Sequence, residues 1–206
     1  MKLKEAIAIS HTLSTPSKMP WFGYSIPAYR CKIGSKLRKI KDSVCSKCYA
    51  LKGRYTFPNV MQAMEKRADS LHHPGWVEAM VTQLNHYSKG ELRHFRWHDS
   101  GDLQDSRHLQ KISDVCLATP HIQHYLPTRE GKIVESLADR IPPNLHIKIS
   151  AMTIGEANAF RIPGVPIATV GAPSPERYEC DARDRGGECG PCRKCWTEAS
   201  INYPLH

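Results

Sequence analysis

The chain has 206 residues, 40% hydrophobic and 24% charged, a balance that permits an apolar core burying roughly 70% of the unfolded surface and excludes a disordered or repetitive chain. The first apolar run stops after four residues, too short for a signal peptide or a membrane span, so a cytoplasmic protein with no membrane partner is expected. A formal charge of +9 favours a polyanionic partner, either nucleic acid or a phosphate-bearing small molecule, and eight cysteines in a reducing compartment point to metal or redox chemistry rather than disulfides.

In chain order, residues 6–9 (AIAI) read as a short buried strand that leads into a Pro-, Gly-, Ser- and Lys-rich stretch lasting to about residue 55. Loops of that length inside a domain are usually functional, and this one contains Cys31, Cys45 and Cys48. Helical spacing follows at Val60, Met64, Ala68 and Leu71, and, past Pro74, at Trp76, Val77, Met80 and Leu84. Residues 92–97 read as a strand ending in HDSGD (98–102), after which Asp105 or Ser106 caps a helix that turns Leu109, Ile112, Val115 and Cys116 inward.

A strand at 122–126, a helix with Ile133, Val134 and Leu137, an alternating strand at 145–149 and an apolar segment at 165–170 complete the pattern. Five strands alternating with helices predict an α/β fold, a parallel sheet or partial (β/α) barrel over residues 1–175, with a cysteine-rich C-terminal extension over 176–206. Such sheets place their chemistry at the C-terminal ends of the strands. Thr128 and Arg129 after the third strand, Ser150 ending the fourth and Val170 ending the fifth are therefore expected at one mouth.

The tail holds Cys180, Cys189, Cys192 and Cys195, the last three in a C-x2-C-x2-C run beside Gly186, Gly187 and Gly190. Consecutive x2 spacings let sulfurs converge from one tight turn, and four thiolates close the site, so a 4Fe-4S cluster is expected, with a structural four-cysteine zinc as the alternative. The first set has three thiols in a C-x13-C-x2-C arrangement and no fourth cysteine. On a four-iron cluster that leaves one iron open to a substrate or cofactor; the alternative is zinc completed by His11 or His98. His98, Asp99, Ser100, Gly101 and Asp102, at the end of the strand after the three-cysteine loop, are candidates for contacting what binds there.

The order of these parts, a strand, a three-cysteine loop, a helix, a second strand and then a Gly-containing acidic motif, resembles the radical S-adenosylmethionine superfamily. The resemblance implies a 4Fe-4S cluster on Cys31, Cys45 and Cys48, with S-adenosylmethionine chelating its open iron. It also implies Gly101 and Asp102 at the cofactor's amino group and Tyr49 against its adenine. Here C-x13-C-x2-C stands for the usual C-x3-C-x2-C, Lys47 for the aromatic before the last cysteine, and SGD for GGE. The implied chemistry is one-electron cleavage of S-adenosylmethionine, supplied by an electron donor and relayed by the second cluster, to a radical that takes hydrogen from a nucleotide or nucleic-acid substrate.

More closely, CSKCYALKGRY, HDSGD, YLPTR and CGPCRKCW resemble a bacteriophage family known as gene product eighty-eight, which implies a phage-encoded protein acting in the bacterial host's cytoplasm. Two other readings stand beside the radical enzyme. One is a nucleic-acid-binding protein without catalysis, its basic loops ordered by zinc or iron-sulfur centres; the other is a cluster enzyme using the open iron as a Lewis acid.

Overall fold

The computed structural model describes residues 1–205. Strands β1 (Gly23–Tyr24), β2 (Arg93–Trp97), β3 (Ile122–Thr128), β4 (Leu145–Ser150), β5 (Ile167–Val170), β6 (Tyr178–Glu179) and β7 (Ile201–Tyr203) form one sheet in the order β1-β2-β3-β4-β5-β7-β6. Every neighbouring pair is parallel. Registers such as Arg96 opposite Tyr125 and Thr128 opposite Ile149 bring the C-terminal ends of β2, β3 and β4 together at one edge. The C-terminal segment joins the same sheet, because β7 inserts between β5 and β6.

Helices α1 (Leu3–Ser10), α2 (Lys32–Leu37), α3 (Pro58–Ser70), α4 (Trp76–Ser88), α5 (Ser106–Ala118) and α6 (Gly131–Glu135) precede or connect the strands. Residues 6–9, expected as a strand, lie instead in α1. Glu5 accepts the Lys2 N–H at 2.9 Å and closes the first turn, while Ala6 and Ser10, one turn apart, are buried beneath α4. An apolar run of four residues does not distinguish the two periods. The first strand is β1, only two residues long, whose Gly23 and Tyr24 pair with Arg96 and Trp97. Turns over 151–166 connect β4 and β5, and β6 and β7 are additional strands.

The other helices follow their sequence patterns. Pro58 occupies the first turn of α3, where its missing N–H costs nothing, and Asp105 caps α5 by accepting the His108 N–H at 2.8 Å. Trp76, Met80 and Leu84 of α4 and Leu109, Ile112 and Val115 of α5 are buried against Phe95 and Trp97 of β2, with Trp76 and Trp97 ring centroids 6.0 Å apart. The alternate residues of the strands meet the tail. Trp196 donates its indole N–H to the Phe95 carbonyl at 2.8 Å and packs edge-on to Tyr125, and Lys148, fully buried, donates to the Thr197 carbonyl at 2.7 Å.

Candidate functional site

Cys31 follows a 3-10 turn (Ala28–Arg30) and stands, in extended backbone, immediately before α2, where its carbonyl accepts the Ser35 N–H at 3.1 Å. Cys45 lies in a second 3-10 turn (Val44–Lys47) capped by the Ser43 hydroxyl, and the Cys48 N–H returns to the Cys45 carbonyl at 3.2 Å. This turn is fastened to the end of β4: Val44 N–H donates to Met152 O at 2.9 Å and Ile154 N–H to Asp42 O at 3.0 Å. Gly34 makes room for the sulfurs. A Cβ there would stand 2.9 Å from Cys31 Cβ, 3.5 Å from Cys45 Sγ and 3.7 Å from Cys31 Sγ, so two of the three sulfurs share the cradle that glycine leaves.

The HDSGD loop runs beside them. Ile26, five residues before Cys31, donates its N–H to Ser100 O at 3.1 Å, and Gly101 is obligatory: at φ +88° a Cβ would meet Ile26 Cγ1 at 2.3 Å and Ile26 O at 2.7 Å. Asp102 Oδ1 accepts the Leu103 N–H at 2.8 Å and the Thr128 hydroxyl at 2.5 Å, and Oδ2 accepts the Arg129 N–H at 3.0 Å. The Thr128 hydroxyl in turn accepts the Glu130 N–H at 3.0 Å, and Glu130 Oε1 accepts the Ile33 N–H at 3.0 Å. Asp102, Thr128 and Glu130 thus form a continuous link from the end of β2, across the end of β3, to the turn that carries Cys31. Asp99 ties in the far side of the loop, its carbonyl accepting the Tyr49 hydroxyl at 2.6 Å and its carboxylate the Tyr55 hydroxyl at 2.9 Å.

Burial raises the Cys31 thiol well above its ordinary range and raises the Cys45 thiol as well. At Cys31 the charges of Asp102, Cys45 and Cys48 push the same way, and at both sulfurs the Arg129 guanidinium opposes. Burial thus keeps the Cys31 and Cys45 thiols protonated when free, and a cationic centre is the kind of ligand that would ionise them. Burial also raises Asp102 to about 6, against its three hydrogen bonds and the Arg129 charge.

At the tail, Cys180, Cys189, Cys192 and Cys195 line one small cavity of about 20 Å³ together with Tyr178 and Trp196. Arg185 bridges Asp181 through both guanidinium nitrogens at 2.5 and 2.8 Å and donates to Cys189 O, shaping the loop, while Lys18 reaches across to Gly186 O at 2.9 Å. The Cys195 sulfur lies 3.4 Å from the Tyr203 hydroxyl, which bonds Tyr125 at 2.9 Å. Burial raises Cys180, Cys189 and Cys195, and Arg96, reaching in from β2, opposes this at the latter two. Among the described residues no three His, Cys, Asp or Glu side chains are arranged to hold a single metal ion. The donors are nonetheless of the soft kind that iron-sulfur groups take: four thiols line one cavity, and two of the three N-terminal thiols border the cradle that a Cβ at Gly34 would fill.

The sequence matches the family described as gene product 88 over residues 2–198. The chain belongs to that family. It is the bacteriophage family whose motifs the sequence carries, and the match takes in both thiol sets and the HDSGD loop. No curated protein and no solved structure shows significant similarity to the chain.

Within this member of the family, the structure gathers Tyr49, Asp99, Ser100, Gly101, Asp102, Thr128 and Arg129 around the ends of β2 and β3. His98 follows a different course: its ring packs edge-on to His108, centroids 5.1 Å apart, with both nitrogens buried and unpartnered, and burial holds it neutral. His11 caps the C-terminus of α1, where burial first and then the Arg67 and Lys66 charges lower it. Ser150 ends β4 opposite Ala168, and Val170 ends β5 opposite Tyr203 with its carbonyl accepting the Gly155 N–H. Gly34 and Glu130 escaped the sequence reading, although Gly34 lies one helical turn after Cys31 and Glu130 directly follows Thr128 and Arg129. Arg96, Lys148 and Tyr203 escaped it as well, because they approach the tail thiols only through the sheet's pairing.

Proposed function

We propose that this chain is an iron-sulfur enzyme of the radical S-adenosylmethionine type, its parallel sheet forming the arc of a partial (β/α) barrel with Cys31, Cys45 and Cys48 at the mouth. The observation that carries the reading is the convergence of a three-thiol turn, cleared by Gly34, with the Asp102, Thr128 and Arg129 group at the strand C-terminal ends. Three thiols leave one iron of a 4Fe-4S cluster open, and when bound there S-adenosylmethionine can be cleaved by one electron to methionine and a 5′-deoxyadenosyl radical.

The chain's own residues then have definite tasks. Glu130 and Asp102 fix the turn bearing Cys31, the Arg129 cation favours the ionised sulfurs, and Tyr49, held at Asp99, offers an aromatic face next to Cys48. The tail thiols would hold a second cluster.

The test is product analysis on anaerobically purified, chemically reduced protein: S-adenosylmethionine should yield 5′-deoxyadenosine, and its absence across several reductants would reject the radical chemistry. A second reading, a metal-ordered nucleic-acid-binding protein without catalysis, is favoured by the concentration of positive charge on the three-cysteine loop.

A further inference from the structure

Residues 28–57 hold nine of the chain's 29 Lys and Arg but one of its 20 Asp and Glu, so this segment carries +8 of the formal +9. Part of that charge is used internally: Arg30 pairs with Glu65 and Asp69 of α3, and Lys32 donates to the Gln104 carbonyl. Lys36, Lys39, Lys41, Lys47, Lys52 and Arg54 are exposed, and none of them forms an ion pair among the described residues.

A run of lysines alone is most often a solvated face. This one is interleaved with large apolar side chains that the fold leaves in water: Tyr29 is 47%, Tyr49 58% and Phe57 53% exposed. The three rings sit on or next to neighbouring turns. The 3-10 turn at Ala28–Arg30 packs on that at Tyr49–Leu51, which packs on Gly53–Thr56 just before Phe57. Tyr49 is also held in place, since its hydroxyl is bound to Asp99 O at 2.6 Å.

We propose that the 28–57 segment is a binding surface for single-stranded nucleic acid, with Tyr29 and Phe57 stacking on unpaired bases and the six free cations following the phosphates. Cations beside exposed rings are the combination that binds single strands without sequence preference. A duplex keeps its base faces stacked inside and gives such rings no partner. A bilayer is the poorer match, because the segment's one α-helix, α2, has six residues and the rest is 3-10 turns, so no long amphipathic face exists. Because Cys31, Cys45 and Cys48 lie within the same segment, a bound strand is delivered to the thiols. As the substrate surface of the enzyme this inference rests on the function proposed above; as a binding surface it is measurable without it.

The experiment is fluorescence anisotropy of a short labelled oligonucleotide of mixed sequence titrated with the anaerobically purified full chain, alongside its iron content. If four to six cations contact phosphate, affinity falls about 10²-fold when salt rises from about 50 to 200 mM, with a log-log slope near −3 to −4. Lys36→Gln, Lys39→Gln and Lys41→Gln together should flatten that slope by about 2. Tyr29→Ala or Phe57→Ala should weaken single-strand binding by roughly 5- to 100-fold with the slope and melting temperature unchanged. Duplex bound as tightly as single strand, binding confined to anionic phospholipid vesicles, or no binding by iron-loaded protein would overturn the proposal and leave the enzyme reading standing. Single-strand binding by protein that carries no iron would uphold the surface and sink the enzyme.

Discussion

Glycine at 34 and at 101 does different work in neighbouring turns, and substitution separates the two. At Gly101 a methyl group would sit 2.3 Å from Ile26 Cγ1 in a positive-φ backbone, so Gly101→Ala is expected to cost about 3 kcal/mol or more and to lower expression of folded protein, as read by thermal melting. At Gly34 the methyl meets the cysteines themselves, 2.9 Å from Cys31 Cβ and 3.5 Å from Cys45 Sγ. Gly34→Ala should therefore lose the iron of the first site while the melting temperature of the metal-free chain moves little; unchanged iron would show that the cradle is not used. Glu130 offers a third probe. Its carboxylate accepts the Ile33 N–H beside Cys31, so Glu130→Ala should destabilise the fold by about 1–3 kcal/mol, whereas Glu130→Gln, which keeps the acceptor, should restore most of it in denaturant melts. Equal losses in both variants would assign the effect to charge rather than to that hydrogen bond.

At the scale of elements, the pieces with strong period were legible and the short ones were not. Helices α3, α4 and α5 and strands β2 to β5 stand close to where apolar spacing placed them, because each buries one face against the same core. The two-residue β1 escaped notice because its position is set by pairing with Arg96 and Trp97, and β6 and β7 because their partners lie in the tail and β5. The thiol sets were legible from spacing alone, but the residues that join them to the sheet were not. The link from Asp102 through Thr128 to Glu130 depends on three elements meeting, which no local window contains. Since the two thiol sets are carried by separate elements, Cys48→Ala is expected to remove the first centre and leave the spectrum of the second intact. Loss of both together would mean a single shared centre.

For the whole molecule, the sheet has one face covered by helices and the other by the tail, and both coverings bury histidines or cations that must stay uncharged or paired. Burial lowers His108 to about 4 and His124 to about 3, and holds His98 well below its ordinary value. The unfolded chain protonates these rings near 6.5, so between that pH and about 4 it binds more protons than the folded one. Stability is therefore lost as pH falls through this window, by about 2 kcal/mol for each of His108 and His124 at pH 5. The melting temperature of the metal-free chain should drop by roughly 10 °C from pH 7 to pH 5, less in His124→Gln, and a flat profile would contradict the burial of these rings as neutral groups.

The same molecule concentrates its positive charge on the loop that bears three thiols and sets four more thiols around a cavity under the other end of the sheet. If both sets hold iron-sulfur clusters, the first of them open, then anaerobically purified protein analysed for iron, sulfide and zinc carries about eight irons with matching sulfide per chain, falling to about four in Cys48→Ala. Stoichiometric zinc with no sulfide would rule the clusters out.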